Sequence, residues 1–177
     1  MTIPSPSRAA KAIVISRSSE YAIRALTFLA MEGDGRHHLA RDMAERLGIP
    51  APFLGKVLQP LVTSGLLHSQ RGRSGGFKLA KAPKDVRLVD IVATQETLHP
   101  ADTCLLGQSE CREEGACPLH AYWTSTARGF HARLRETSLQ ELVEFRAAHP
   151  GCAYPDQALD RVARARGAAQ ESSAVPA

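Results

Sequence analysis

Aromatic residues are scarce in this sequence, and long apolar runs are absent. Phenylalanine, tryptophan and tyrosine together make up 5% of the 177 residues. No stretch approaches the roughly 20 consecutive apolar residues that a membrane-spanning helix needs. Residues 1–11 contain no apolar segment followed by a small-residue cleavage site, so they do not resemble a signal peptide. The sequence therefore predicts a cytoplasmic protein that does not contact a membrane.

The sequence also lacks the motifs of common cofactor-dependent enzymes. It has no phosphate-binding P-loop and no glycine-rich dinucleotide fingerprint. No second constellation of catalytic residue types accompanies its cysteines, and cysteines alone are weak support for catalysis. We therefore do not expect an enzyme or an electron carrier.

Positive charge is concentrated in one part of the chain. The net charge is +4, but residues 36–87 alone hold ten Lys or Arg residues against three Asp or Glu residues. Such asymmetry is typical of a nucleic-acid surface on one module, although a solvated basic face would give the same count.

Hydrophobic periodicity predicts three helices followed by a β-hairpin. Two strands directly after a recognition helix are typical of a winged helix-turn-helix, so the predicted fold is mainly α with a small β-hairpin. We expect Pro60 either to bend the third helix or to mark an irregularity that tertiary packing enforces, because proline removes a backbone donor. The predicted elements are helices from Ser18 to Gly33, over 39–47, from Phe53 to a stop at Gly65 and over 84–97, and strands over 66–69 and 77–80.

The segment between the two strands, Gln70–Gly76, is rich in glycine and arginine. Its glycines let the backbone turn tightly, and its arginines can meet phosphates or a narrow minor groove. A winged fold used for protein contacts is the alternative. The residues from which we expect DNA contacts are Arg41, Lys56, Gln59, Arg71, Arg73, Ser74, Gly75 and Lys78.

Three of the four cysteines, Cys104, Cys111 and Cys117, lie within fourteen residues. In a chain without an export signal, clustered cysteines favour metal or redox chemistry over structural disulfides. Structural zinc sites usually use closely spaced cysteine pairs, whereas the wide spacing here suits a bulkier iron–sulfur cluster. The residues alone leave a cluster, a zinc site and redox-active thiols open. Cys152 lies outside the motif, and we assign it no role.

The chain after the cysteine loop returns to a helical pattern. Pro118 is a good first-turn residue for a long helix, and Ser138 with Glu141 resembles a capping box that begins a last short helix over 139–148. The predicted organisation is a flexible arm (1–15), a winged helix-turn-helix (16–97), a cysteine loop (98–117), a long dimerisation helix with the short last helix (118–148) and a disordered tail (149–177).

These motifs, in this order, resemble the winged-helix iron–sulfur transcriptional regulators, the family that includes the cluster-assembly repressor IscR and the nitric-oxide sensor NsrR. The resemblance covers about residues 15–148. The matching stretches are Glu20-Tyr21-Ala22-Ile23-Arg24-Ala25-Leu26, Ala44-Glu45-Arg46-Leu47-Gly48-Ile49-Pro50, Arg71-Gly72 with Gly75-Gly76-Phe77, and the three-cysteine loop before a long helix.

The resemblance implies a fourth cluster ligand and a dimer. His120, three residues after the last cysteine, occupies the position of the ligand of a two-iron cluster in IscR-like members, and Glu20 occupies that of an aspartate that ligates a four-iron cluster in NsrR-like members. We favour His120 because imidazole is the better established nitrogen ligand of iron–sulfur centres. Trp123, Phe130 and Leu134 would lie in the dimer interface, unless they pack against their own winged domain.

The sequence therefore predicts a homodimeric transcriptional regulator that binds a palindromic double-stranded DNA operator. An iron–sulfur cluster, of two or four irons, would set its DNA affinity in response to redox state, nitric oxide or iron–sulfur supply. The alternative is a winged-helix regulator with a thiol switch or a zinc site in place of the cluster.

Overall fold

The computed structural model describes residues 15–72, 75–98, 104–106 and 112–156. Residues 1–14 of the predicted arm and residues 157–177 of the predicted tail lie outside these residues. Within them the chain is mainly helical with one two-stranded antiparallel hairpin, as predicted. The elements are α1 (Arg17–Glu32), α2 (Ala40–Leu47), α3 (Ala51–Thr63), β1 (Leu67–Gln70), β2 (Gly76–Leu79), a 3₁₀ turn (Pro83–Asp85), α4 (Leu88–Ala93), α5 (His120–Glu136) and α6 (Leu139–Ala148).

Helix α1 lies at the centre of the fold. Every residue from Tyr21 to Leu29 is buried, because α2, α3, α4, α6 and β2 pack around it. The helix begins at Arg17, one residue before the predicted Ser18, since Ser16 is its N-cap and the side chain of Ser16 accepts the backbone N–H of Ser19. Gly33, in the left-handed region at φ 56°, ends it. None of the helices in the described residues is long and apolar enough to cross a membrane.

Helices α2 and α3 form the predicted helix-turn-helix. Gly48 adopts φ 61°, and the next residue, Ile49, donates its backbone N–H to the Ala44 carbonyl at 2.9 Å. Helix α3 continues through Pro60 to Thr63, so the proline does not end it. Its apolar face, which includes Leu54, is buried.

The hairpin is fixed to the link between α1 and α2. Strands β1 and β2 pair from Leu67 opposite Leu79 to Gln70 opposite Gly76. Phe77 also exchanges both backbone hydrogen bonds with His38, each at 2.9 Å. A Cβ on Gly76, whose φ is 133°, would collide with the His38 backbone, so this position requires glycine. The base of the wing is therefore held from both sides.

Helix α4 is shorter than the predicted 84–97. Residues Val86 and Arg87 are extended, because this segment pairs with the junction between α5 and α6. The N–H of Leu88 donates to the Thr137 carbonyl at 3.0 Å, and the N–H of Leu139 donates to the Val86 carbonyl at 2.8 Å. Helix α6 has the predicted bounds and the predicted capping box between Ser138 and Glu141.

Residues 149–156, which we assigned to a disordered tail, instead contact α1. The Tyr154 hydroxyl lies 2.8 Å from the Thr27 hydroxyl oxygen. The Arg24 guanidinium donates to the Pro155 carbonyl at 2.9 Å, and Pro155 is buried. The prediction that disorder begins at residue 149 was therefore wrong. The segment is held by single polar residues of α1, Arg24 and Thr27, and such contacts leave no periodic pattern in the sequence of the tail.

Candidate functional site

The candidate DNA-contacting residues of the helix-turn-helix lie on its surface. Arg41 is exposed at the start of α2, with its Nε 3.5 Å from the Asp42 carboxylate. Lys56 and Gln59 are exposed and one turn apart on α3. Together with Lys81, which the sequence analysis did not select, they line an open groove of about 1000 Å³ between α3 and α4.

The wing presents arginine at its tip but buries one predicted contact. Arg71 is exposed and Lys78 is half-buried, while Arg73 and Ser74 lie outside the described residues. Gly75 is buried, and its N–H donates to the Gly72 carbonyl at 3.0 Å. A Cβ there would lie 2.9 Å from the backbone carbon of Arg71. The prediction of a DNA contact is therefore corrected for Gly75, because this glycine closes the turn.

Two of the three clustered cysteines lie side by side. The Sγ atoms of Cys104 and Cys117 are 3.9 Å apart. Cys104 is buried and Cys117 half-buried. A disulfide would require about 2.05 Å, whereas two thiolates on one tetrahedral metal, each about 2.3 Å from it, lie about 3.8 Å apart. The described thiols therefore fit a shared metal without a large movement. Cys111 lies outside the described residues.

The two candidates for a fourth ligand have different surroundings. His120 is half-buried on the first turn of α5, and its backbone N–H donates to the Cys117 carbonyl at 2.9 Å. Glu20 lies on the first turn of α1 with 38% of its side chain exposed, and its carboxylate is 3.8 Å from the Arg24 guanidinium. Among the described residues, which exclude Cys111, no three His, Cys, Asp or Glu side chains form a group that could hold a metal ion.

The predicted interface residues on α5 fall into two groups. Leu134 is only 5% exposed and belongs to the protomer's own core, so the prediction that it meets a partner is corrected. Phe130 is half-buried against the same core, and Trp123 is half-buried. Tyr122 is a large side chain on α5 that is 70% exposed, and it was not among the predicted interface residues.

A buried arginine joins three parts of the fold. Arg24 is 3% exposed, and its guanidinium donates to the carbonyl of Leu47 at the end of α2 and to the carbonyl of Pro155. Burial lowers the pKa of Arg24, with the carboxylate of Glu20 opposing that shift. Burial also raises the pKa of Tyr154, which lies in the 149–156 segment packed against α1, to about 12. Sequence periodicity could not reveal this cluster, since an arginine on a helix is normally read as a surface residue.

Comparisons with known proteins agree with this architecture. Residues 15–145 match the model of the Rrf2 family, which is described as an iron-dependent transcriptional regulator. A protein of Aquifex aeolicus described as an HTH-type transcriptional regulator is 30% identical over 139 residues, which cover 77% of this chain and 96% of that protein. Protein rrf2 of Nitratidesulfovibrio vulgaris is 26% identical over 129 residues, covering 73% and 86% of the two chains.

Two solved structures share the fold. CymR, the global cysteine regulator of B. subtilis, has a TM-score of 0.63 at 21% identity, with 74% of this chain and 96% of that chain covered. IscR of T. potens has a TM-score of 0.58 at 24% identity, with 75% and 88% covered. The family match confirms the resemblance inferred from the motifs. This chain belongs to the Rrf2 family of winged-helix, DNA-binding transcriptional regulators, and it is not an enzyme.

Proposed function

We propose that this regulator is a homodimer whose affinity for a palindromic operator depends on an iron–sulfur cluster held by Cys104, Cys111 and Cys117. The observation that carries the proposal is the 3.9 Å separation of the Cys104 and Cys117 sulfur atoms. Soft thiolates are the usual ligands of such clusters. The description of the family as iron-dependent supports the same metal.

The chain's own residues would convert cluster binding into a change of shape. Cys104 follows the winged domain, and Cys117 precedes α5 by three residues. Ligation by both thiolates fixes the distance between the end of the winged domain and the start of α5. A bound cluster would supply sensitivity to oxidants, nitric oxide or iron supply. Loss of ligation frees the loop and removes a constraint on how the two wings of a dimer are spaced.

His120 is the proposed fourth ligand. Its position one turn from Cys117, with its N–H on the Cys117 carbonyl, keeps the imidazole and that thiolate at the same end of α5. Glu20 already pairs with Arg24, and withdrawing its carboxylate would leave a buried guanidinium with less charge compensation. These contacts favour His120 over Glu20 and thus a two-iron cluster.

DNA recognition would use the exposed groups of α2, α3 and the wing. Lys56 and Gln59 supply donors on α3, and Arg71 supplies a cation at the wing. Arg41 would contact phosphate. In a homodimer, two copies of this surface related by a twofold axis would each contact one half of a palindromic operator. The exposed Tyr122 and Leu119 on and beside α5 support this helix as the place where the copies meet.

A thiol switch is the second candidate. The 3.9 Å separation would also allow Cys104 and Cys117 to close into a disulfide after a shift of about 2 Å. In that case an oxidant, rather than metal loss, changes the loop.

The proposal is tested by comparing DNA affinity in two states of the same protein. The protein is reconstituted anaerobically with ferrous iron and sulfide or stripped with a chelator. Each form is titrated against a duplex that the protein itself selects from a random library. We expect the two affinities to differ by about tenfold, within the usual range of coupling between sites. Equal affinities would contradict the proposal, and a difference produced only by oxidant would favour the thiol switch.

A further inference from the structure

The end of α4 is a polar junction between three functional parts of the molecule. Helix α4 ends at Ala93, the following residues 94–98 close the winged domain, and Cys104 comes eight residues after Glu96. The backbone N–H groups of Gln95 and Glu96 both bond to the Val92 carbonyl, at 2.9 and 3.1 Å, so this turn is a direct continuation of α4. Leu98 packs against the hydrophobic core.

Gln95 connects this turn to the recognition helix. Its side-chain amide donates to the Val57 carbonyl of α3 at 3.0 Å and lies 2.9 Å from the Thr94 hydroxyl. Val57 is 3% exposed and adjoins Lys56, a candidate DNA contact. A displacement of the turn that carries Gln95 therefore acts on the middle of α3.

Glu96 connects the same turn to the start of α1. Its carboxylate accepts the backbone N–H of Ser16 at 2.9 Å and the hydroxyl of Ser19. Ser19 is fully buried, and Ser16 is the N-cap of α1. Both bonds have a charged acceptor and are therefore strong. They tie the turn that contains Glu96 to the start of α1 and resist its movement.

We propose that Gln95 and Glu96 are positioning residues that transmit the state of the cysteine loop to α3, an inference that rests on the proposed function. Glu96 anchors the turn to α1, which serves as the fixed frame of the fold. The chain that leads to Cys104 begins at this turn. When it moves despite the Glu96 anchor, the bond from Gln95 to Val57 transmits that movement to the recognition helix α3. Gln95 acts through its bond to α3, and Glu96 acts through its bonds to the start of α1.

The test is the ratio of DNA affinities between the reconstituted and the stripped protein. Gln95→Met removes the donor and keeps the length of the side chain. Glu96→Gln keeps one accepting oxygen but removes the charge. Gln140→Met is the matched control, because Gln140 is a surface residue of α6 that bonds to Glu144. Iron content and thermal unfolding are measured for each variant, on the same selected duplex.

We expect Gln95→Met to bind the wild-type amount of iron while its affinity ratio shrinks about fivefold, the effect of one lost hydrogen bond. Glu96→Gln should shrink the ratio less, and Gln140→Met should leave it unchanged. Hydrogen exchange of α3 should respond to stripping more strongly in the wild type than in Gln95→Met. A merely structural role would lower the unfolding temperature without changing the ratio. If Gln95→Met does not fold, Glu96→Gln carries the test.

The outcomes separate the inference from the proposed function. If the wild-type affinities differ by about tenfold and neither Gln95→Met nor Glu96→Gln changes that ratio, the inference is overturned and the proposed function stands. A ratio of one in the wild type overturns both. Loss of iron in Gln95→Met also overturns the inference, because Gln95 would then affect the cluster site itself rather than α3.

Discussion

Cys104→Ser should abolish iron binding and reduce the affinity ratio between reconstituted and stripped protein to about one. Cys104 is buried, and its sulfur lies 3.9 Å from that of Cys117. A serine hydroxyl has nearly the same size but is a poor ligand for soft metals at neutral pH. The DNA affinity of the variant should equal that of the stripped wild type. Iron analysis and DNA titration measure the two effects.

Cys152→Ser is the matched control for this substitution. Cys152 is half-buried, lies after α6 and is outside the three-cysteine motif. The Cys152→Ser protein should retain its iron and the wild-type ratio of DNA affinities between the reconstituted and the stripped form. Thermal unfolding of both variants should stay within a few degrees of the wild type. A Cys104→Ser protein that keeps its iron would rule out the proposed ligand set, and one that loses only its response to oxidant would favour the thiol switch.

Arg24→Met should strongly destabilise the fold. The substitution leaves the Leu47 and Pro155 carbonyls without their donor and removes a compensating charge from Glu20. An orphaned buried acceptor costs about 1–3 kcal/mol, so we expect the free energy of unfolding to fall by about 3 kcal/mol. For a protein of this size that corresponds to a decrease of about 10 °C in Tm.

The control for Arg24 is an arginine whose partner is solvated. Arg41 is 83% exposed and pairs with Asp42, which is 60% exposed, so Arg41→Met should change stability by less than about 1 kcal/mol. Arg24→Lys should recover only part of the loss, because an ammonium group cannot reproduce the planar fork that reaches two carbonyls. A decrease for Arg24→Met no larger than for Arg41→Met would show that the buried guanidinium does not hold α2 and the 149–156 segment together.

The sequence was sufficient for the order of elements because local signals mark them. Gly33 and Gly48 end helices in left-handed conformations, and Ser138 with Glu141 caps α6. Such signals depend on neighbours in the chain, which a single sequence displays. The pairing of Cys104 with Cys117 could also be anticipated, since both lie in one short loop.

Contacts between distant segments could not be predicted in the same way. The bridge between His38 and Phe77, the clamp of Arg24 on Pro155 and the bond from Gln95 to Val57 join residues 38 or more positions apart. None produces a periodic pattern, because each is a single polar group or backbone pair. Leu134 was misassigned for a related reason, because its burial depends on packing from other segments. Gly75 was misassigned because the turn of the wing folds residues 70–72 around its backbone.

The central claim is that the cysteine loop holds an iron–sulfur cluster, and metal analysis of anaerobically purified protein tests it most directly. The full-length chain should be coloured, with broad visible absorption, and should contain about two or about four irons per protomer with an equal amount of sulfide. About two irons would agree with ligation by His120. A colourless protein that contains zinc, or no metal, would contradict the claim.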